Sequence, residues 1–397
     1  MIKTADSSAL KHLKILDLTR VRAGPTCVRF FADFGAEVLK VESPDGVEAN
    51  EGVIGARDNY DNLNLHRNKR SLTLNFKEPE GLEILYKLVK DADVVVENFR
   101  PDVKHRLKID YETLSKINPR IIMGSISGFG QDGPYANRAG FDQIAQGMGG
   151  LMSITGIPGQ GPVRAGIAVS DSTAGNYAAI GILIALLERE QSGKGQWVQS
   201  NLLQSMIGLC DFQAARYLVD QDIPPQAGND HPFSTPMGVY QSADGYFNLG
   251  ASGNGQYYAL CDVLSRPDLR DDPELQTLKG RTSRREFVNN ELNKEFVKQT
   301  TTYWIDKLNE KSIPCGPIYN MAEVFEDAQV AHLGVAVKVT DPNRGPIELV
   351  ATPVKLSRTP AAISFTLHAK GADNLELLKS LGYSEDDIKK LQEKKVI

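Results

Sequence analysis

Short β-like runs and helical patterns take turns through the first 126 residues, which restricts the chain to a parallel sheet with helical crossovers. Residues 13–19 (Leu-Lys-Ile-Leu-Asp-Leu-Thr) broadly alternate apolar and polar side chains, as a half-buried strand does. Arg22-Ala23-Gly24-Pro25 then turns the chain into a helix running to Phe34. Pro25 suits its first turn, where a backbone N–H has no intrahelical partner to lose. Gly35 ends that helix, and residues 37–41 supply a second strand. The same reading gives strands at 71–74, 93–97 and 120–126, with helices at 79–90 and 110–117. Right-handed crossovers between parallel strands make this an α/β, Rossmann-like doubly wound layer.

The next stretch contains a false signal. Gly128-Phe129-Gly130-Gln131-Asp132-Gly133 matches G-x-G-x-x-G after a strand, but Pro134 follows at once and no helix opens. Its glycines therefore cannot present a helix N-terminus to a pyrophosphate, and it reads as a loop rather than a dinucleotide site. The glycine-rich run 147–161 starts on a helix end and becomes a loop that permits close backbone approach. An apolar run at 167–169 then delivers Asp171 to the start of an apolar helix over 177–187. Two readings compete there. Ser170 or Asp171 caps that helix, or Asp171 is a carboxylate nucleophile with small neighbours, Ala174 and Gly175, that leave room for a bulky thioester.

Ser192-Gly193-Lys194-Gly195 lacks the Lys-Ser/Thr pair of a phosphate loop and reads as a tight turn. A short strand at 197–198 and a helix over 201–217 follow, then a proline-rich linker at 222–236. Beyond it come a hairpin (237–241 and 246–249, turned at Asp244-Gly245), helices at 256–264, 284–298 and 303–310, and a strand at 316–319. Short strands from 335 and helices at 374–381 and 384–394 close the chain. The expected organisation is a large domain from 1–221, a linker at 222–236, a smaller α+β domain at 237–330, and a return segment, 331–397, completing the large domain.

Charge narrows the partners. The formal net charge of −5 provides no basic field to recruit nucleic acid or a membrane surface, so local basic groups must meet any polyanionic ligand. The four cysteines, Cys27, Cys210, Cys261 and Cys315, show no C-x-x-C or Cys/His spacing, so buried reduced thiols and no metal site are expected. Residues 1–10 carry no apolar signal core, and no apolar run is long enough to span a bilayer, so a soluble cytoplasmic protein is expected.

A set of short motifs carries a more specific message. They are Leu16-Asp17-Leu18-Thr19-Arg20-Val21-Arg22-Ala23-Gly24-Pro25, Gly35-Ala36-Glu37-Val38-Leu39-Lys40-Val41-Glu42, Asn68-Lys69-Arg70-Ser71, and Val95-Val96-Glu97-Asn98-Phe99-Arg100-Pro101. Gly140-Phe141-Asp142, Val169-Ser170-Asp171, Gly193-Lys194-Gly195-Gln196 and Ile313-Pro314-Cys315-Gly316-Pro317 complete it. In this order the chain resembles, over nearly its whole length, the family III CoA-transferases, which include formyl-CoA and succinyl-CoA-dependent dicarboxylate transferases. The resemblance implies ring-shaped subunits interlocked in a homodimer, with Asp171 as the catalytic aspartate. It places Arg22, Ala23, Leu74, Lys77, Asn98, Phe99 and Arg106 where relatives bind CoA, and Phe141 and Asp142 near the active site. Taken alone, Arg22 reads as a surface ion pair, Lys77 as a solvated helix flank and Asp142 as a helix N-cap.

The implied chemistry uses acyl-CoA and a small carboxylic acid as substrates, with no permanently bound cofactor. An ionised carboxylate attacks a thioester when held close and desolvated; Asp171 would form a mixed anhydride and then an aspartyl-CoA thioester. Backbone N–H groups in glycine-rich turns would stabilise the oxyanions. Several positions depart from formyl-CoA transferase: Ser43-Pro44 replaces a basic residue, Arg22 replaces glutamine, and the tetraglycine flap is absent. The Gly250-Ala251-Ser252-Gly253-Asn254-Gly255 run lies elsewhere, and Phe365-Thr366-Leu367-His368-Ala369-Lys370 replaces a Leu-Gly-Glu-His segment. Arg164-Ala165-Gly166-Ile167-Ala168 is more similar to the succinyl-CoA-dependent enzymes, where Arg22 or Arg164 would meet an acceptor's distal carboxylate. The alternatives are a 2-methylacyl-CoA racemase, whose histidine base would fall at Phe141, and a non-catalytic acyl-CoA-binding subunit.

Overall fold

The computed structural model describes residues 7–47 and 56–397, so the polar amino terminus at 1–6 lies outside the described residues. The chain divides into two compact units: one formed by 1–151, 164–222 and 331–397, the other by 152–163 and 223–330.

The larger unit is built on β1 (Lys14–Asp17), α1 (Ala23–Asp33), β2 (Glu37–Glu42), α2 (Tyr60–His66), β3 (Lys69–Thr73), α3 (Pro79–Asp91), β4 (Val94–Glu97), α4 (Pro101–Arg106), α5 (Tyr111–Ile117), β5 (Ile122–Ser127) and α6 (Asp142–Met148). A short helix, α7 (Leu151–Ile154), leads into the smaller unit, and the larger one resumes with α8 (Val169–Ser192), β6 (Trp197–Asn201), α9 (Leu202–Leu209) and α10 (Asp211–Asp220). The six strands form one parallel sheet in the order β3-β2-β1-β4-β5-β6. Strand order reverses between β1 and β4, and in doubly wound sheets the crevice beyond the carboxyl ends of such a pair is where ligands bind. β4, Val-Val-Val-Glu, is buried throughout, as a central parallel strand covered on both faces must be.

One face of the sheet packs against α1 and α8 through Val28, Phe31, Ala174, Ala178 and Ile182. The other face packs against α3, α5 and the C-terminal helices Asn374–Ser380 and Glu385–Glu393 through Ile84, Leu85, Leu114, Leu378 and Ile388. The C-terminal segment also covers the outer edge of β3. The Asp373 carboxylate accepts the Ser71 N–H at 2.8 Å, and the Asn374 side-chain oxygen accepts the Thr73 N–H at 3.0 Å. These contacts satisfy edge groups that would otherwise pair with another chain.

The smaller unit has its own core of Tyr240, Phe247, Tyr257, Leu292, Phe296 and Trp304. Its hairpin, Met237–Gln241 with Tyr246–Gly250, gains a third strand at Cys315–Pro317, shorter than and offset from the expected 316–319 run.

Three expectations are corrected. Helix α8 begins at Val169, two turns before the apolar pattern at Tyr177. Neither Ser170 nor Asp171 caps it, since the N-cap is Ala168, whose side chain makes no capping bond. The single helix expected over 201–217 is two, α9 and α10, broken at Cys210 where Asp211 takes a φ of 43°. All four cysteines are free, with Cys27 and Cys261 buried but Cys210 and Cys315 only half-buried.

Candidate active site

Asp171 sits in the first turn of α8, half-buried, and among the described residues its carboxylate accepts no hydrogen bond. Carboxylates withdrawn from water normally collect donors, so this one carries an electrostatic cost. Burial, and then the neighbouring Asp142 charge, raise its pKa to about 6, while the Arg22 guanidinium opposes them.

Two contacts hold Asp171 in this setting. One turn along α8, a Cβ on Gly175 would stand 2.4 Å from the Ala23 carbonyl oxygen and 3.0 Å from the Thr26 Cβ. Only glycine therefore lets α8 approach the start of α1 so closely. The second contact runs through Ser170, whose N–H and hydroxyl both donate to Asp142 Oδ1, at 2.9 and 2.8 Å.

Asp142 is the first residue of α6, whose N-cap is Phe141, so the expectation of Asp142 as an N-cap is corrected. Its Oδ2 accepts from Gln146 Nε2 at 2.7 Å and lies 3.7 Å from Arg164. Gln146, fully buried, also donates to the Ile167 carbonyl at 3.2 Å and accepts the Ala165 N–H at 2.9 Å, tying the approach to α8 onto α6. Asp142 and Gln146 stand four residues apart, the separation that puts side chains on one helix face. That spacing was the available sequence signal for Gln146. Phe141 is 73% exposed beside them.

Arg22 precedes α1 and pairs with Asp61 of α2 at 2.7 Å, with both side chains about one-third exposed (34% and 38%). The surface ion pair expected from its residue type alone thus exists, and Arg22 also bears on Asp171. Val21, just before it, holds a φ of 57°, a strained conformation for a β-branched residue. The β1–α1 turn is clamped by Asn98, whose side-chain oxygen accepts the Arg20 N–H at 2.9 Å and whose amide donates to the Arg20 carbonyl at 2.8 Å. This clamp joins the carboxyl ends of β1 and β4 at the point where strand order reverses. The Arg20 guanidinium lies 5.7 Å from the centre of the Phe99 ring.

The remaining expected contact residues sit on α1, after β3 and on α4. Ala23 is buried at the start of α1. Leu74 follows β3 with its side chain in the core and its N–H donated to the Glu42 carbonyl at 2.8 Å. Lys77 is exposed, its Nζ 3.5 Å from the Val47 carbonyl. Arg106 ends α4, exposed to solvent.

Among the described residues, His105, Asp110 and Glu112 alone gather side chains closely enough to suggest a cation site. Asp110 there already caps α5 by accepting the Thr113 N–H at 3.0 Å. The G-x-G-x-x-G segment forms a loop that opens no helix, as expected. Gly193 ends α8 in the left-handed conformation. No described helix is long and apolar enough to cross a membrane.

The site is thus an unpartnered, basic carboxylate at a doubly wound sheet's switch point, with arginines close by. A family model described as CoA-transferase family III matches residues 10–374. The succinyl-CoA:glutarate CoA-transferase of Mus musculus is 36% identical over 387 residues, covering 96% of this chain and 88% of its own. The succinyl-CoA–D-citramalate CoA-transferase of Chloroflexus aurantiacus is 36% identical over 400 residues and 98% of each chain. The crystal structure of a CaiB/BaiF family protein from Brucella suis matches with a TM-score of 0.83 at 33% identity, over 95% of this chain and all of that one. With one fold, one motif order and these relatives across nearly its full length, the chain belongs to family III of the CoA-transferases and is an enzyme of that class.

Proposed function

We propose that the enzyme moves CoA from succinyl-CoA to a dicarboxylic acid through covalent intermediates on Asp171. The observation that carries this reading is the unpartnered Asp171 carboxylate with its pKa raised to about 6. Such a group is still mostly ionised at neutral pH, yet it is more basic than an ordinary carboxylate and has lone pairs free for attack.

An Asp171 oxygen attacks the thioester carbonyl; the C–S bond breaks, CoA leaves as thiolate, and a mixed anhydride joins Asp171 to the donor acid. The thiolate then attacks the aspartyl carbonyl, expelling the donor carboxylate and forming an aspartyl-CoA thioester. An acceptor carboxylate attacks that thioester, giving a second anhydride and thiolate. The thiolate takes the acceptor's acyl carbon and returns Asp171 as carboxylate. No oxidant, reductant or nucleotide triphosphate is consumed.

Arg22, Ala23, Leu74, Lys77, Asn98, Phe99, Arg106 and Phe141 make up the proposed acyl-CoA subsite. Arg22 and Arg106 meet the nucleotide phosphates as charge-assisted donors. Asn98 acts by clamping the Arg20 backbone, and Asp142 by holding Ser170 and keeping Asp171 basic. Both relatives above are named for succinyl-CoA and a dicarboxylate. Arg164 supplies the cation for such an acceptor's distal carboxylate. Arg22 is engaged by Asp61 at 2.7 Å, whereas Arg164 is exposed and held by a 3.4 Å bond to the Ile167 carbonyl and the 3.7 Å pair with Asp142.

The working unit is an interlocked homodimer in the cytoplasm. Support for a partner comes from α8, where Tyr177, Ile180, Ile184 and Leu187 form an exposed apolar stripe at helical spacing. The test of the mechanism is intact-mass analysis with peptide mapping after incubation with succinyl-CoA alone. A CoA-sized adduct on Asp171 is expected, and an unmodified Asp171 during full-rate exchange overturns it.

A further inference from the structure

Behind the proposed acyl-CoA subsite lies a buried ion pair that the chemistry does not use. Glu97, the last residue of β4, and Lys104 of α4 are both fully buried, with Lys104 Nζ 3.2 Å from Glu97 Oε1. Glu97 Oε2 accepts the Phe99 N–H at 2.7 Å, and the Ser125 hydroxyl also bonds the carboxylate. Lys104 reaches onward to the side-chain oxygen of Gln131, and its ammonium lies 5.0 Å from the centre of the Trp197 ring. Trp197 donates in turn to Ser125 Oγ at 2.8 Å.

Three segments meet at this pair. The first is the Asn98–Phe99 turn, which clamps Arg20. The second is α4, which ends in Arg106. The third is the 128–140 loop, which ends directly before Phe141 and Asp142. The ends of that loop are pinched together: a Cβ on Gly128 would stand 2.7 Å from the Gly140 Cα. Within it, Phe129 and Tyr135 meet edge to face and the Arg138 guanidinium lies over both rings, tying the loop to itself. Gln131 is its contact to Lys104 through the side-chain oxygen, and the Gln131 amide nitrogen has no partner among the described residues.

We propose that the Glu97–Lys104 pair is a positioning device that holds the Asn98–Phe99 turn, α4 and the 128–140 loop in the register that binds acyl-CoA. A buried ion pair contributes little as a stabiliser, since apolar residues of the same volume commonly do as well. Its directional bonds are what an apolar pair lacks, and here one ends on the Asn98–Phe99 turn and another on the 128–140 loop. Burial also raises the Glu97 pKa, with Lys104 opposing it. Removing the lysine therefore loosens the carboxylate that anchors Phe99. This inference rests on the acyl-CoA subsite proposed above.

The test compares Lys104→Met, Gln131→Leu and the double variant Glu97→Gln/Lys104→Met in steady-state kinetics with succinyl-CoA and a dicarboxylate acceptor. Lys104→Met should raise the KM for succinyl-CoA roughly tenfold, the scale expected when a binding group is misplaced. The acceptor KM and kcat should stay within about twofold. The double variant should recover most of the loss, because the substituted amide still offers an oxygen to the Phe99 N–H and no charge is left alone. Gln131→Leu, at a half-buried site, should give a smaller rise of the same kind and serves if Lys104→Met does not fold. Lower melting temperatures with an unchanged succinyl-CoA KM in all three would make the pair merely structural and overturn the proposal. Arg106→Gln separates the two readings. If it raises the succinyl-CoA KM while the Lys104 and Gln131 variants do not, the positioning role alone fails; if none does, the subsite assignment fails with it.

Discussion

Asp142 Oδ1 takes both the N–H and the hydroxyl of Ser170, at 2.9 and 2.8 Å, so the residue before Asp171 is pinned from a different helix. The arrangement brings a second carboxylate close enough to raise the pKa of Asp171, while leaving Asp171 with no donor of its own among the described residues. Folding alone gives no reason to place two acids this way. The nucleophilic role proposed for Asp171 would supply one, because the burial and repulsion that cost stability also make the carboxylate more basic.

Asp171→Ala should therefore abolish exchange of label between succinyl-CoA and free acid, and Asp171→Asn nearly so. Asp171→Asn should also be more stable than the parent near neutral pH. The sign follows from linkage. With its pKa raised to about 6, the folded protein holds this proton more tightly than the unfolded chain. Ionisation then subtracts stability as pH climbs from about 4 to about 6, and the whole penalty applies above that. At about 1.4 kcal/mol per unit, and allowing for the solvent that reaches a half-buried group, asparagine should recover on the order of 2 kcal/mol. Melting curves at neutral and acidic pH check it, the gain shrinking as pH falls. A destabilised, inactive asparagine variant would point to a structural acid.

Gly175→Ala probes the approach of α8 to α1. Its Cβ would come within 2.4 Å of the Ala23 carbonyl oxygen, which is backbone and cannot rotate away. The helices must part, at a cost of about 1–3 kcal/mol. Turnover should fall further than stability accounts for, because Asp171 lies one turn from the wedge. Thermal unfolding and kcat measured on the same preparation check this; a fully active, equally stable variant would contradict the tight contact.

Much of this was legible in the sequence, and what was not has identifiable causes. The buried strands, such as Val94–Glu97, declare themselves through runs of β-branched residues. The first turns of α8 did not. Ser170, Asp171, Ser172 and Thr173 are residues that favour caps and turns, and the apolar pattern begins only at Tyr177. What keeps them helical is packing on α1 and the tether to Asp142. The Asp171 motif was readable, but the bonds made by the residues around it were not. Asp61 lies 39 residues from Arg22 and Ser170 28 from Asp142. Nor did any sequence pattern single out Lys104, which the fold buries against Glu97.

The apolar stripe on α8 predicts association. Leu187, 70% exposed, and Ile184, 61% exposed, should be covered by a second copy of the chain. Light scattering should give twice the 43.5 kDa chain mass. Ile184→Glu/Leu187→Glu should yield monomer or insoluble protein, as expected when two charges enter an apolar interface. A soluble dimer of unchanged stability would place the interface elsewhere.

Arg164 should govern the acceptor and not the donor. A charge-assisted hydrogen bond contributes about 1.5–3 kcal/mol, so Arg164→Gln should raise the KM for a dicarboxylate roughly ten- to hundredfold. A monocarboxylate of similar length should be used about as well as before. Equal losses with both acceptors would remove Arg164 from recognition of the distal carboxylate and return it to the structural support of Asp142.

The pH profile tests the electrostatics of the site directly. If Asp171 must be ionised to attack, kcat/KM should fall on the acid side with an apparent pKa near 6 rather than near the usual 4. Asp142→Asn removes a like charge and should move that limb to lower pH, although burial keeps it above the value of a free carboxylate. Arg22→Gln removes an opposing charge and should move it to higher pH, in addition to weakening acyl-CoA binding. Opposite displacements from two single changes are hard to produce through general damage to the fold. A limb that stays in place in both variants would mean that the titrating group is not Asp171. A parent enzyme with flat activity from about pH 5 to about pH 8 would mean that its basicity is irrelevant to the rate.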